Sequence, residues 1–448
     1  MLPTPQLLLS LDRPGPRYTS YPTVPSWVED FPQSTLDAAL ARVDRPADLY
    51  VHIPFCREQC WFCGCNQVVS TRQGSGDRYL DAVATEIASL PLPRAPLPVA
   101  RIHLGGGTPN WLDAAQTDRL YSLLFSRFAP AERAELSVEI DPDLVTKEQL
   151  EQLARFGVNR ISLGVQSTDD RVLQAINRPQ RLGRVRAAME WARALGMGGI
   201  NIDLIYGLPH QDLASFAATI DEVVALGPDR LATYSYAHVP WMKRHQQHID
   251  AAALPGPVDK MGLFLHARER LIDAGYVAVG MDHFARPTDA LARAATERTL
   301  HRNFMGYTTR ADLPLIGLGV SAITELDGVF AQAQHHLGTW YRAVERQDGP
   351  KLARGLQLTD EDRLRRDVIS SLMCNFELVK SAIEARHPVS FDAHFASSLA
   401  SLEPLVADGL CELHPDRITV TELGRLLVRN VAMAFDGRLG DGRFSQTV

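Results

Sequence analysis

Residues 49–66 read LYVHIPFCREQCWFCGCN, and this stretch decides the fold. It opens on an apolar run of strand length, Leu49–Ile53, then turns at Pro54 into a loop carrying Cys56, Cys60, Cys63 and Cys65. The spacing Cys56-x3-Cys60-x2-Cys63 places three thiols on one short loop directly after a strand. Three thiolates can hold three irons of a cubane cluster and leave the fourth iron open to a small molecule, as a catalytic rather than a structural metal requires. The rival reading is zinc held by these thiols with His52 or Cys65. Structural zinc usually takes two separated ligand pairs, and no second pair is present.

Five more apolar runs of strand length follow: Arg101–Leu104, Glu135–Ile140, Arg160–Val165, Gly199–Ile205 and Arg230–Tyr236. Helical patterns separate them at Arg78–Ser89, Ala114–Phe128, Lys147–Phe156, Arg181–Leu195 and Ala214–Leu226. Such alternation predicts an α/β fold with a parallel sheet and right-handed crossovers, as a doubly wound sheet or a partial barrel. The strand runs are nearly continuous in apolar residues, as expected when both faces are covered. Polar and small residues collect at their C-terminal ends: His52, Gly105–Gly107, Glu139, Gln166, Asp203 and Ala237. That edge carries the active site in α/β sheets and barrels.

Outside this region the chain changes character. Residues 1–45 are rich in proline and aromatics and read as an arm; Pro22 biases Tyr21 away from helix, so Arg17–Thr23 is expected to be extended. After Gly275 the alternation fades, and Gly280–Pro287 and Gly317–Thr324 read as loops or strands closing one side. From about Leu358 the pattern is mostly helical, with a short strand at Ile418–Val420. The expected divisions are an arm at 1–45, a barrel with its closing extension at 46–325 and a mostly helical domain at 326–448.

Bulk properties exclude several classes. The 448 residues carry a formal charge of -7, so no global basic field invites nucleic acid. No apolar run approaches the roughly 20 residues that span a bilayer. No basic-then-apolar leader is evident at Leu7–Leu9, so a cytoplasmic location is expected. Clustered cysteines speak for a metal rather than a disulfide framework. Cys374 and Cys411 lie among apolar residues and read as core thiols. No feature points to an obligate second subunit, and a monomer is expected.

Several side chains are candidates for holding a ligand beside the thiols. Glycines in Gly105-Gly106-Gly107-Thr108-Pro109 allow close backbone approach, in a tight turn or to a ligand. Glu139 could bind a cation or a ribose hydroxyl, whereas Asp141 reads as a helix N-cap. Gln166, Arg178 and Asp203 occupy matching positions on the rim, with Arg178 the fixed cation for a carboxylate.

The cysteine spacing after a first strand resembles the radical S-adenosylmethionine (SAM) superfamily over roughly Leu49 to Tyr236. The resemblance implies a [4Fe–4S] cluster on Cys56, Cys60 and Cys63 and a partial (β/α)6 barrel of parallel strands. It also implies reductive cleavage of SAM to a 5′-deoxyadenosyl radical. Over nearly the full length the chain resembles, more narrowly, the oxygen-independent coproporphyrinogen III oxidase family. The matching segments are GPRYTSYPT (15–23), the cysteine stretch, NIDLIYGLP (201–209), GMDHFARP (280–287), HRNFMGYTT (301–309) and GLGVSAI (317–323). Cys65 marks this family and is missing from its haem-chaperone relatives.

This narrower resemblance implies decarboxylation of two propionates of coproporphyrinogen III to vinyl groups, with an unidentified electron donor and acceptor. It implies two SAM molecules. Tyr50, Phe62, Gly106, Glu139, Gln166, Arg178, Asp203 and Ala237 would hold the first. Gly107, Thr108, Ile323 and the 301–309 loop would hold the second. The arm would help cover the barrel mouth, the C-terminal part would close over the substrate, and His301, Arg302 and Arg310 are candidate propionate contacts. No catalytic side chain is assigned. One departure stands out: Met305 takes the place of a glutamine whose amide a thioether cannot replace. A haem chaperone and a radical methyltransferase stay open as alternatives.

Overall fold

The computed structural model describes residues 3–72, 74–310, 313–349, 351–441 and 444–447. Six parallel strands lie side by side in chain order: β1 (Ala47–Ile53), β2 (Leu97–Gly106), β3 (Phe128–Ile140), β4 (Arg160–Gln166), β5 (Gly199–Tyr206) and β6 (Arg230–Ser235). Five helices return the chain between them: α1 (Gly74–Ser89), α2 (Ala114–Arg127), α3 (Lys147–Arg155), α4 (Leu182–Ala194) and α5 (Leu213–Leu226). This is the expected partial (β/α)6 barrel. A short helix at Asp170–Ala175, capped by Asp169, was not expected.

Local chemistry starts the helices where they start. Asp113 accepts from the Gln116 amide at 2.9 Å and Thr146 from the Gln149 amide at 3.2 Å, each in a reciprocal capping box. The Asp141 expectation is therefore corrected. Thr146 caps α3, while Asp141 accepts from the Asp143 amide at 3.0 Å and pairs with Arg178 at 3.5 Å.

The strands are not covered alike on both faces, a second correction. Alternate positions such as Ile102, Leu104, Leu136, Val138, Ile161, Leu163, Ile200 and Ile202 are buried in the apolar core. Each contributes roughly 1.5–3 kcal/mol of burial free energy. The opposite face is polar. At its N-terminal end Arg101 and Arg160 flank Glu135 at 3.6 and 3.4 Å, and Arg160 and Arg230 flank Asp289 at 3.7 and 2.9 Å. Farther along come His103, Ser137, Glu139, Ser162, Asn201 and Asp203.

Among the described residues the sheet grows to 12 strands by additions at both edges. His283–Ala285 pairs antiparallel with β6, whereas Leu315–Leu318 runs parallel to β1 and leads into Ile323–Leu326, Val329–Ala333 and Leu352–Gln357. The two segments expected to close one side thus flank opposite edges. The C-terminal part is helical around a three-stranded sheet that includes Arg417–Val420. Cys374 and Cys411 are buried thiols, as expected.

The run at Arg17–Thr23 is not extended as expected but bent, with bends over residues 19–22 and Tyr18 at a φ of 48°, and the arm carries short helices at Pro5–Leu11 and Gln33–Leu40. It is fastened to the far end of the chain. Tyr18 donates to Asp436 at 2.9 Å, the Gly437 amide donates to the Tyr21 hydroxyl at 3.1 Å, and Arg429 donates to the Pro16 carbonyl at 2.9 Å. No helix among the described residues is long and apolar enough to cross a membrane.

Candidate active site

The three thiols sit on the loop leaving β1, and the glycine turn leaving β2 braces that loop. The Gly107 amide donates to the Ile53 carbonyl and the Thr108 amide to the Phe55 carbonyl, both at 2.8 Å. The Thr108 hydroxyl lies 3.4 Å from Cys56 Sγ. A Cβ on Gly106, where φ is 121°, would meet the His52 ring at 2.7 Å, and one on Gly107 would meet the Pro54 carbonyl oxygen at 2.6 Å. These glycines are therefore required first by loop-to-loop contact.

Each cysteine has its own partner. Arg178 Nη1 donates to Cys60 Sγ at 3.4 Å, and the Cys65 amide donates to Cys63 Sγ at 3.4 Å. Burial pushes the Cys56 thiol up to about 12 in the absence of metal. Hydrogen bonds from Cys65 draw Cys63 down. Among the described residues no group of three or more His, Cys, Asp or Glu is arranged around a single metal ion. A cubane takes one thiolate per iron, so its ligands need not converge on one point.

Tyr50 and His52 support the strand beneath. The Tyr50 hydroxyl lies 3.0 Å from His52 Nδ1, and His52 Nε2 lies 2.8 Å from the Asn66 carbonyl. Burial lowers the His52 pKa and keeps the ring neutral, so Nε2 donates and Nδ1 accepts. The Tyr50 ring stacks on His103 at 5.9 Å.

Glu139 accepts from the Gly106 amide at 3.0 Å and from His103 at 3.4 Å. Burial works to raise its pKa, but these bonds outweigh that and hold it below the ordinary carboxylate range. Asp203 behaves oppositely: burial raises it to about 6, although Ser162 and Asn201 donate to it at 2.9 and 2.8 Å. Arg178 is largely buried and donates through Nη2 to the Gly164 carbonyl at 2.7 Å. Its Nε is buried with no hydrogen-bond partner among the described residues, as is Asn201 Oδ1. Gln166 closes β4 at a φ of 68°; a Cβ on Gly164 would lie 3.0 Å from its amide nitrogen and 3.4 Å from Arg178.

The sequence did not reveal Gln246. Buried, it donates to the carbonyls of both Phe62 and Ala237, at 3.1 and 3.2 Å, and so ties the cysteine loop to the segment after β6. His245 Nε2 contacts the Cys63 carbonyl at 2.7 Å, Lys243 donates to the Cys65 carbonyl at 3.0 Å, and His248 packs on the Trp61 ring at 5.3 Å. The Lys-Arg-His-Gln-Gln-His run at 243–248 was the available signal.

Ile323 lies at the edge of this set, its carbonyl against Gly317, the register partner of Tyr50. It packs with Phe304 on a cluster of Trp27, Phe330, Leu356 and Leu358. Met305 sits at the tip of the His301–Thr308 hairpin, where its amide donates to Asn303 at 2.9 Å. His301 and Arg310 line a cavity of about 350 Å³ with Arg45, Arg363 and Arg366. Arg45 precedes β1, so this cavity opens at the opposite end of the strands from the cysteines, roughly 20 Å away by strand length. Arg302 lines it too, but its Nη1 donates to the Arg17 carbonyl at 3.2 Å, toward the rim.

The donor set fits a [4Fe–4S] cluster that binds SAM: three thiols on one loop with no fourth protein ligand required, and a buried guanidinium whose Nε has no hydrogen-bond partner among the described residues. A family model described as the radical SAM superfamily matches residues 50–223, and one described as the HemN C-terminal domain matches 358–427. The chain is 46% identical over 427 residues to the oxygen-independent coproporphyrinogen III oxidase of Escherichia coli, covering 94% of this chain and 92% of that one. The chain belongs to the oxygen-independent coproporphyrinogen III oxidase family. The Synechocystis oxidase is 40% identical over 439 residues, covering 96% of this chain and 94% of its own. A solved structure, described as coproporphyrinogen III oxidase (HemN) from E. coli, a radical SAM enzyme, superposes with a TM-score of 0.91. It shares 45% identity and covers 94% of this chain and 98% of that one. Radical SAM chemistry with a [4Fe–4S] cluster follows from membership of this oxidase family.

Proposed function

We propose that the chain oxidatively decarboxylates two propionates of coproporphyrinogen III to vinyl groups, giving protoporphyrinogen IX in haem biosynthesis. The observation that carries this is the thiol triad braced by Arg178 within a chain similar to known oxidases along almost its whole length. When bound, the cluster supplies the electron that cleaves SAM to the radical which removes a hydrogen atom from the propionate β-carbon. Carbon dioxide then leaves, and one electron passes to an acceptor.

The residues have separable tasks. Cys56, Cys60 and Cys63 hold the cluster. Arg178, whose Nε has no partner among the described residues, would hold the methionine carboxylate, and the Gly106–Thr108 turn would hold the ammonium. Glu139, ionised throughout the neutral range, and Asp203 bind ribose hydroxyls. Tyr50, Phe62, Gln166 and Ala237 enclose the adenosyl part. Gly107, Thr108, Ile323 and the hairpin tip at Met305 form a second SAM site.

The propionates meet cations at the ends of β5 and β6. Arg17 donates to the Ser235 carbonyl at 2.8 Å and Lys260 to the Tyr236 carbonyl at 3.0 Å. Burial and the neighbouring Arg17 draw Lys260 down to about 8, and burial and Arg17 draw Arg429 down to about 10. A bound carboxylate relieves this crowding of like charges. The enzyme is read as a cytoplasmic monomer.

The test is anaerobic reconstitution with coproporphyrinogen III, SAM and dithionite, followed by chromatography of the oxidised products. Protoporphyrin is the expected product. SAM cleavage without decarboxylation overturns the substrate. S-adenosylhomocysteine would indicate methyl transfer, and haem retained without product a chaperone.

A further inference from the structure

Two exposed apolar side chains beside the cysteine loop have no part in the site described above. The segment after β6 is bonded to this loop through Lys243, His245 and Gln246, on the carbonyls of Cys65, Cys63 and Phe62. Its other side bears the two most exposed large apolar side chains among the described residues, adjacent to each other: Trp241, 65% exposed, and Met242, 66% exposed. Val69, whose strand pairs with Cys56, is 46% exposed. Bare tryptophan and methionine on a rigid, hydrogen-bonded loop have no role in the fold, and such residues are enriched where proteins meet.

Charge narrows the partner. The chain carries -7 overall, yet Lys243 and Arg244 directly follow the exposed pair, and Arg57, with Glu58 beside it, belongs to the cysteine loop that Lys243 contacts. Arg57 and Arg244 are exposed. A basic apolar patch on an acidic protein favours an acidic partner and disfavours symmetric pairing of the patch with itself. Lys243 of the patch donates to the Cys65 carbonyl, and His245 beside Arg244 contacts the carbonyl of Cys63, a cluster ligand, so a partner seated there is placed to deliver an electron.

We propose that Trp241, Met242, Lys243 and Arg244, with Arg57, form the docking surface for a small acidic electron-carrier protein of the flavin class. The carrier loses one electron and the cluster gains it; no atom is transferred. This rests on the radical SAM reading above.

The test compares the wild-type holoenzyme with Trp241→Glu/Met242→Glu and, separately, Arg244→Glu, using a bacterial flavodoxin as the probe. Calorimetric binding of the oxidised flavodoxin and SAM cleavage driven by dithionite or by reduced flavodoxin are read side by side. The expected result is a rise of about tenfold or more in flavodoxin Kd and KM for either variant, with dithionite-driven cleavage unchanged. Wild-type binding should weaken steeply with salt. Equal loss with both reductants, or no change with flavodoxin, overturns the proposal. So does sedimentation showing that the wild type is a dimer which the variants dissociate. If dithionite-driven cleavage fails in the wild type itself, the radical reading falls instead.

Discussion

Arg178 joins the cysteine loop to the C-terminal end of β4: Nη1 donates to Cys60 Sγ at 3.4 Å while Nη2 donates to the Gly164 carbonyl at 2.7 Å. Lysine offers one point charge where this geometry uses a planar fork. Arg178→Lys should take up the same iron and sulfide as wild type but bind SAM at least about tenfold more weakly, about 1.4 kcal/mol. Equilibrium binding to the oxidised holoenzyme checks this.

The cysteines should divide cleanly. Serine at position 56, 60 or 63 should abolish the visible absorbance and most of the bound iron. Cys65→Ser keeps the backbone amide that donates to Cys63 Sγ and should retain iron near the wild-type ratio. Iron and sulfide analysis after reconstitution decides it.

Tyr79 is fully buried and bridges two strand ends, donating to the His52 carbonyl at 2.6 Å and accepting from the Val320 amide at 3.1 Å. Tyr79→Phe leaves both groups without a partner in a dry place. The expected loss is about 2 kcal/mol or more of unfolding free energy, with the fold retained. Denaturant unfolding of the apoprotein measures it.

Asp203 has a folded pKa of about 6 against an ordinary 3.8. Between these values the folded chain holds a proton that the unfolded chain has lost, so stability falls as pH rises from about 4 to 6. Asp203→Asn removes that penalty. Its melting temperature should gain on the wild type across this window and hold the gain above pH 6.

Met305 is set at a hairpin tip fixed by Asn303 and by the packing of Phe304 on Trp27 at 5.5 Å. A side-chain change there is local. Met305→Gln should alter the KM for SAM by less than about threefold, as expected of a substitution that disturbs no core or network. A larger change would mean that the thioether has reshaped the second site.

How much was legible can be traced residue by residue. The six strands and their helices were readable because each is a local pattern of apolar spacing bounded by caps such as Asp113 and Thr146. The thiol triad was readable because its three members share eight residues of chain. Arg178 was placed on the rim, but its contact with Cys60 across 118 residues was not foreseen. Asp141 was misjudged because a cap is chosen by backbone geometry, and Thr146 held the better one.

By itself, then, the sequence determined the alternation, the cysteine loop and the chemistry those thiols permit, since both period and spacing act over a few residues. Tertiary structure decided what depends on distant segments meeting. It set Gln246 between Phe62 and Ala237, fastened the arm to Arg429 and Asp436, and turned the inner face of the strands polar. It also separated the arginine-lined cavity from the rim. Those outcomes follow from barrel curvature and long-range hydrogen bonds, which no local pattern encodes.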